Sequence, residues 1–237
     1  MAIRNVGLGG ATDWSNGEIL EAPDLNDTFD AGTSKIQTLT TFWLNSDLYD
    51  VYDDFESYSV GAFTTNDDWT ISTSGGGSPG ASIVEGDLFE TGSEKYLRFG
   101  ANSFSSSHVG TTTASAITKN LSQNKHKHIK LSYELHGYIG AVTTSTQVRL
   151  GSSSTITLVS NAGQTTVTGF VDLLVIAKGN NLYDVYNGPK KILSNTEQVD
   201  PQIAITTRIV DTISNSGWNG WGFTRIDDVV ESKSAVE

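Results

Sequence analysis

The period of the hydrophobic pattern restricts this chain more than any other feature of it. In Ile129, Leu131, Tyr133 and Leu135 the apolar residues alternate with Lys130, Ser132, Glu134 and His136, so one face of an extended segment is dry and the other wet. The run FVDLLVIA, Phe170 to Ala177, is apolar at nearly every position, as expected of a central strand covered on both faces. The pentapeptide LYDVY occurs twice, at Leu48 to Tyr52 and Leu182 to Tyr186, with unrelated flanks. No further copies follow at a fixed period, so the repeat is strand chemistry used twice and not an array. With 24 glycines, four prolines and abundant serine and threonine, many short strands joined by turns describe a two-sheet antiparallel sandwich.

Strands are expected at 114–119, 127–139, 145–150, 154–159, 166–178, 182–187, 190–193, 202–210 and 221–231, with Asp54 to Tyr58 as an opening strand. Asn187-Gly188 marks a hairpin, although Pro189 favours a longer loop. A serine-rich stretch from Ser103 to Thr113 reads as a long loop. Residues 1–50 differ from the rest. A proline at position 23 followed by acids predicts a short helix near 23–30, and Ile36, Leu39, Phe42 and Trp43 recur at helical spacing. Threonines weaken that second segment, so its apolar stripe calls for cover by the same chain or by a partner. The expected organisation is an assembly arm at 1–50, a sandwich at 51–231 and a tail at 232–237.

The net charge of −12, from 27 acidic and 15 basic residues, and the lack of a basic stripe argue against a nucleic-acid partner. No apolar run approaches a membrane span and the start carries no apolar signal segment, so neither membrane insertion nor export by a cleaved signal is expected. Without cysteine there is no disulfide, thiolate metal site or cysteine nucleophile.

Three segments in order, Asp53-Asp54-Phe55-Glu56-Ser57-Tyr58, Asn181-Leu182-Tyr183-Asp184-Val185-Tyr186-Asn187-Gly188 and Phe223-Thr224-Arg225-Ile226-Asp227-Asp228-Val229, resemble laminin-G-like and concanavalin-A-like jelly rolls. The resemblance covers about 51–231 and implies first and last strands lying side by side. It implies nothing definite about activity, since such domains bind glycans, bind proteins or only pack. Residues 14–30, WSNGEILEAPDLNDTFD, resemble a leader of tailed-virus (phage) structural proteins, where it precedes fibre or spike domains. Together these imply a non-enzymatic virion component, such as a tail fibre, baseplate or head decoration protein. Its expected partners are other virion proteins, further copies of itself, most simply in a trimer through Ile36, Leu39, Phe42 and Trp43, and a cell-surface glycan. The rivals are a carbohydrate-binding module of a cellular polysaccharide system and a glycosidase or lyase.

Glu134 has no acidic partner two or four residues on, so the paired carboxylates of jelly-roll glucanases are missing and hydrolysis is not expected. If the first and last strands are neighbours, Asp53, Asp54, Glu56, Asp227 and Asp228 converge. They are then either ligands of a structural calcium ion, as related sandwiches hold near this place, or solvated strand-end acids with Arg225 as a partner. His126, His128 and His136 share a parity, but the lysines around them favour a solvated basic strand edge over a metal site. Trp218 and Asn219, with Tyr138, are the candidate glycan contacts, whereas Trp221 and Phe223 are expected to point into the core.

Overall fold

The computed structural model describes residues 49–88, 94–101, 110–118, 124–197, 202–212 and 220–234. The helix expected near 23–30, the helical stripe expected at Ile36, Leu39, Phe42 and Trp43, the stretch 103–109, and Trp218 with Asn219 lie outside the described residues.

Fourteen strands are described: β1 (Tyr49–Asp53), β2 (Gly61–Ala62), β3 (Trp69–Ser74), β4 (Pro79–Glu85), β5 (Lys95–Ala101), β6 (Gly110–Thr118), β7 (Lys127–His136), β8 (Val142–Leu150), β9 (Ile156–Asn161), β10 (Val167–Ala177), β11 (Leu182–Asn187), β12 (Lys190–Glu197), β13 (Ile203–Asp211) and β14 (Trp221–Ser232). They form two antiparallel sheets. Sheet A runs β12-β11-β10-β7-β14-β5-β4-β2 with β1 added on β14, and sheet B runs β3-β6-β13-β8-β9. The first and last strands are thus neighbours, with Val51 opposite Val230. Between the sheets lies one main core that includes Trp69, Phe99, Leu97, Ile129, Leu131, Leu173, Tyr183, Ile205 and Ile226.

Tyr49 to Tyr52 of the first LYDVY copy and all of the second lie in strands, yet they bury opposite faces. In β11 Tyr183 and Val185 point into the core, at 0% and 1% exposure, while in β1 the matching Val51 is 59% exposed. There Tyr52 packs on the core instead. A strand has no preferred side of its own; its neighbours set the register. The β11–β12 hairpin is tighter than expected, because Asn187 pairs with Lys190 and leaves a two-residue loop. Gly188, at φ 52°, supplies the positive angle and Pro189 the other position. β10 is interior as expected, but only its far half is covered on both faces: Leu174 joins Val230 in a small outer cluster, whereas Phe170 is 67% exposed.

The opening strand ends one residue before the segment expected to form it. Residues 54–58 make a turn with Phe55 at φ 62°. Asp53 fixes this turn: its Oδ1 accepts from the Phe55 backbone N–H at 2.8 Å, and its Oδ2 accepts from Tyr58 Oη at 3.0 Å and Trp69 Nε1 at 2.6 Å. Trp69 begins β3, so one buried carboxylate ties the first strand of sheet A to an edge strand of sheet B.

The basic run 125–128 is not a solvated edge. β7 lies between β10 and β14, and both Lys127 and His128 are 1% exposed. Lys127 shares the core parity of Ile129, and its Nζ donates to the Lys125 carbonyl at 2.9 Å and stands 3.8 Å from Glu231 Oε2 and 5.6 Å from the Tyr183 ring centroid. Its charge is compensated inside the end of the sandwich, where expectation had placed it in water. His128 Nε2 lies 3.3 Å from Asp172 Oδ1, and His126 Nδ1 accepts from the Ala177 backbone N–H. The histidines are thereby engaged separately.

Two predictions follow from these buried charges. Removing Asp53 strands three donors, so Asp53→Ala is expected to cost about 2–4 kcal/mol in denaturant unfolding, with Asp53→Asn costing less because one acceptor survives. Burial raises the Asp53 pKa despite its hydrogen bonds. The folded state therefore takes up the proton more readily than the unfolded one, and wild type should gain stability relative to Asp53→Asn as pH falls toward the ordinary aspartate range. For Lys127 burial lowers the pKa to about 8, against an ordinary 10.5. The unfolded chain binds the proton more tightly across that interval, so wild-type stability should rise with pH there, measured against Lys127→Met, which should be more stable by about 1–3 kcal/mol at neutral pH.

Candidate functional site

Between β4 and β7 the outward face of sheet A carries a grouping of aromatic and charged side chains. Strand alternation builds it. On β14 Gly222, Thr224 and Ile226 turn inward, where Thr224 Oγ1 lies 2.7 Å from Thr207 Oγ1 and 3.0 Å from Thr146 Oγ1. Trp221, Phe223 and Arg225 consequently turn outward. The expectation that Trp221 and Phe223 point into the core is corrected here: small residues occupy that side because the facing threonines leave no room for rings. Gly222 lies against Leu135 and Thr207, where even an added Cβ would be tight, at 3.1 and 3.2 Å.

Register then fixes the neighbours. Arg225 stands opposite Arg98 on β5 and Ser132 on β7; Phe223 stands opposite Gly100 and Glu134; Trp221 stands opposite His136. On β4, Ser82 is beside Arg98 and Gly80 beside Gly100. The Trp221 and His136 rings stack, 5.5 Å apart and 5° from parallel, and Phe223 lies 5.9 Å from Trp221. The Arg98 guanidinium covers the Phe223 ring at 3.6 Å. Arg225 and Glu134 form an ion pair.

Two glycines keep a hollow open beside this stack. A Cβ on Gly100 would come within 2.0 Å of the Gly222 carbonyl oxygen, and at φ 151° the position resists any other residue, so glycine is required there. Outside Gly80 nothing lies within 4 Å of where a side chain would begin. The result is a concavity of about 170 Å³ lined by Ser78, Gly80, Ser82, Arg98, Gly100 and Phe223, among others. That exceeds a water site and falls below the roughly 300–1,000 Å³ of pockets that enclose whole ligands. Such a hollow takes one ring or one substituent of a larger molecule lying across the sheet.

The other expected site residues are placed differently. Tyr138 is half-buried and packs on Ala101, Ala141, Val142 and Ile209 at one end of the sandwich. Asp53 serves the turn described above, and Asp54 Oδ1 accepts from the Glu56 backbone N–H at 3.1 Å. Glu56 Oε1 accepts from the backbone N–H groups of Glu94 and Lys95, tying the turn to the start of β5. Asp227 is wholly buried at a bulge of β14, and the Asp228 side chain lies outside the described residues. Among the described residues, no group of three or more histidine, aspartate or glutamate side chains is placed to hold a metal ion. Beside Glu134 in register stand Phe223 and Thr168, neither of them acidic.

The outward face of sheet B is of another kind. Ser72, Ser115, Thr206 and Gln147 form one row across it, with Arg149 and Arg208 to either side, around a shallow groove of about 320 Å³ without an aromatic ring.

No family model and no curated protein matches this sequence. Solved structures do. The tailspike protein 4 enzymatically active domain of bacteriophage CBA120 is 12% identical over 74% of this chain, with TM-score 0.33, and the match spans only 21% of that chain. A family 11 carbohydrate-binding module from Clostridium thermocellum, in complex with a mixed-linked tetrasaccharide, is 13% identical over 80% of this chain and 98% of its own, with TM-score 0.31. A GH16 protein of Bacteroides ovatus, in complex with a product, is 10% identical over 76% of this chain and 98% of its own, with TM-score 0.38.

Proposed function

We propose that this chain is a non-enzymatic carbohydrate-binding protein of a virion surface, and that the outward face of sheet A around Phe223 holds the sugar. The observation that carries the binding reading is the aromatic row Trp221 and Phe223 on the wet side of a strand, beside a glycine-floored hollow. Aromatic side chains on a sheet face offer apolar area to the C–H face of a sugar ring, and nearby hydroxyl and charged groups orient its hydroxyls. Arg98, Arg225 and Glu134 are such groups within one strand spacing of Phe223, and Ser82 is another on the strand beyond Arg98. The absence of an acidic neighbour beside Glu134 in register supports binding without glycosidic cleavage. The place on a virion rests on residues 14–30, whose resemblance to phage leaders was described above.

A shallow site of this size binds weakly, near the millimolar level that corresponds to about −4 kcal/mol, so adhesion would depend on several copies acting together. The test is a glycan array probed with the full chain in multivalent form, beside Trp221→Ala and Phe223→Ala. Wild type should bind at least one glycan class and both variants should lose it, while each keeps a melting temperature within a few degrees of wild type, since outward rings contribute little to the core. Unchanged binding by both variants would remove this face from consideration.

A further inference from the structure

We propose that the sugar selected at this face is an acidic one, whose carboxylate is held by Arg98; this rests on the carbohydrate-binding reading above and names its ligand class. The chain as a whole carries a net charge of −12, yet the hollow is bordered by two arginines directly opposite one another on adjacent strands. Like charges in that relation repel and weaken a sheet. Glu134 faces them among the described residues, and its ion pair is with Arg225. Among the described residues Arg98 makes no ion pair, and its buried Nε finds no hydrogen-bond acceptor. Burial, and after it the neighbouring Arg225, lower the Arg98 pKa, with Tyr96 and Glu134 opposing them.

The side chain is nonetheless held in place. Its guanidinium carbon lies over the Phe223 ring, 3.6 Å from the centroid, and Arg98 lines the hollow beside Gly80 and Gly100. A planar fork of donors matches the two oxygens of a carboxylate, and holding the fork in advance reduces what binding must order. The hydroxyls of Ser78 and Ser82 stand beside the same hollow for the neutral part of the ring. A neutral sugar would occupy this space and leave the Arg98 charge unanswered.

The test uses an array that pairs uronate- and sialate-terminated glycans with their neutral counterparts, probed with the full chain. Acidic members should be bound at least about tenfold better than neutral ones, the range expected of a charge-assisted fork, and the preference should shrink as salt is raised. Arg98→Gln should abolish the preference, and Arg98→Lys should restore it only in part, because it returns the charge without the fork. The salt series on wild type does not depend on whether either variant folds. Equal binding of neutral and acidic members by wild type would overturn the carboxylate inference and leave carbohydrate binding intact. Binding of sulfated members alone would overturn it in favour of another anion. Absence of any bound glycan would instead remove the reading on which it rests.

Discussion

The buried Asp53 carboxylate, at the end of the first strand of sheet A, bonds across to the first strand of sheet B. Asp53 ends β1, caps the turn that follows, and receives the indole N–H of Trp69, the largest fully buried side chain in the core. Desolvating that carboxylate is unfavourable, as the direction of its pKa shift shows. Three donors offset the cost, and what remains gives specificity: only one arrangement of turn and indole satisfies them all. Because Phe55 and Tyr58 pack around the same point, the joint and this end of the core form together. Glu56 then ties the turn to β5, the strand that carries Arg98. The site is thus continuous with the joint through four residues of sequence and one strand.

β14 is the second organising element. It pairs with β7 on one side and with β5 and then β1 on the other, and a bulge between Ile226 and Val229 separates its two halves. In the first half the wet parity carries Trp221, Phe223 and Arg225; beyond the bulge Val230 joins the outer apolar cluster with Leu174. The inserted residue lets one strand keep core residues inward on both sides of the bulge while its outer face changes from sugar-like chemistry to packing. Placing Phe223 and Arg225 on a stretch paired with β5 on one side and β7 on the other also holds the candidate site in place. Little conformational freedom remains to be lost on binding.

Most of the fold was legible because period-two alternation is a direct consequence of burying one sheet face, and Ile129 to His136 shows it without ambiguity. What could not be read was which face belongs to which side where the pattern is degenerate. LYDVY has apolar residues at both parities, so β1 and β11 use it in opposite senses. At Trp221 and Phe223 hydrophobicity pointed inward, but Arg225 shares their parity while Gly222 and Thr224 hold the other; a charge two residues from an aromatic was the available signal. Lys127 misled in the reverse direction, for its compensation by Glu231 comes from a strand more than a hundred residues away. The acids read either as calcium ligands or as solvated strand-end groups were grouped by strand adjacency alone. The first and last strands are adjacent, and Asp53 and Glu56 bond to the Trp69 indole and to the backbone of Glu94 and Lys95, contacts that sequence spacing does not reveal.

The two outward faces of the sandwich show why the aromatic one is the better binding surface, although both are rich in polar groups. On sheet B the hydroxyls bond largely to one another, as in Ser115 with Thr206 and Ser74 with Thr113, so a ligand would have to exchange bonds already made. Such exchange yields little net free energy, because each new hydrogen bond replaces an existing one. On sheet A His136 stacks on Trp221 and Arg98 lies over Phe223, the rest of these outward rings meets water, and the hollow beside them is bordered by Gly80 and by Gly100, which backbone contact requires. Binding there removes apolar area from water and meets Arg98, which makes no ion pair among the described residues. The larger groove is therefore the less favourable of the two, and chemistry, more than volume, points to Phe223 and Arg98.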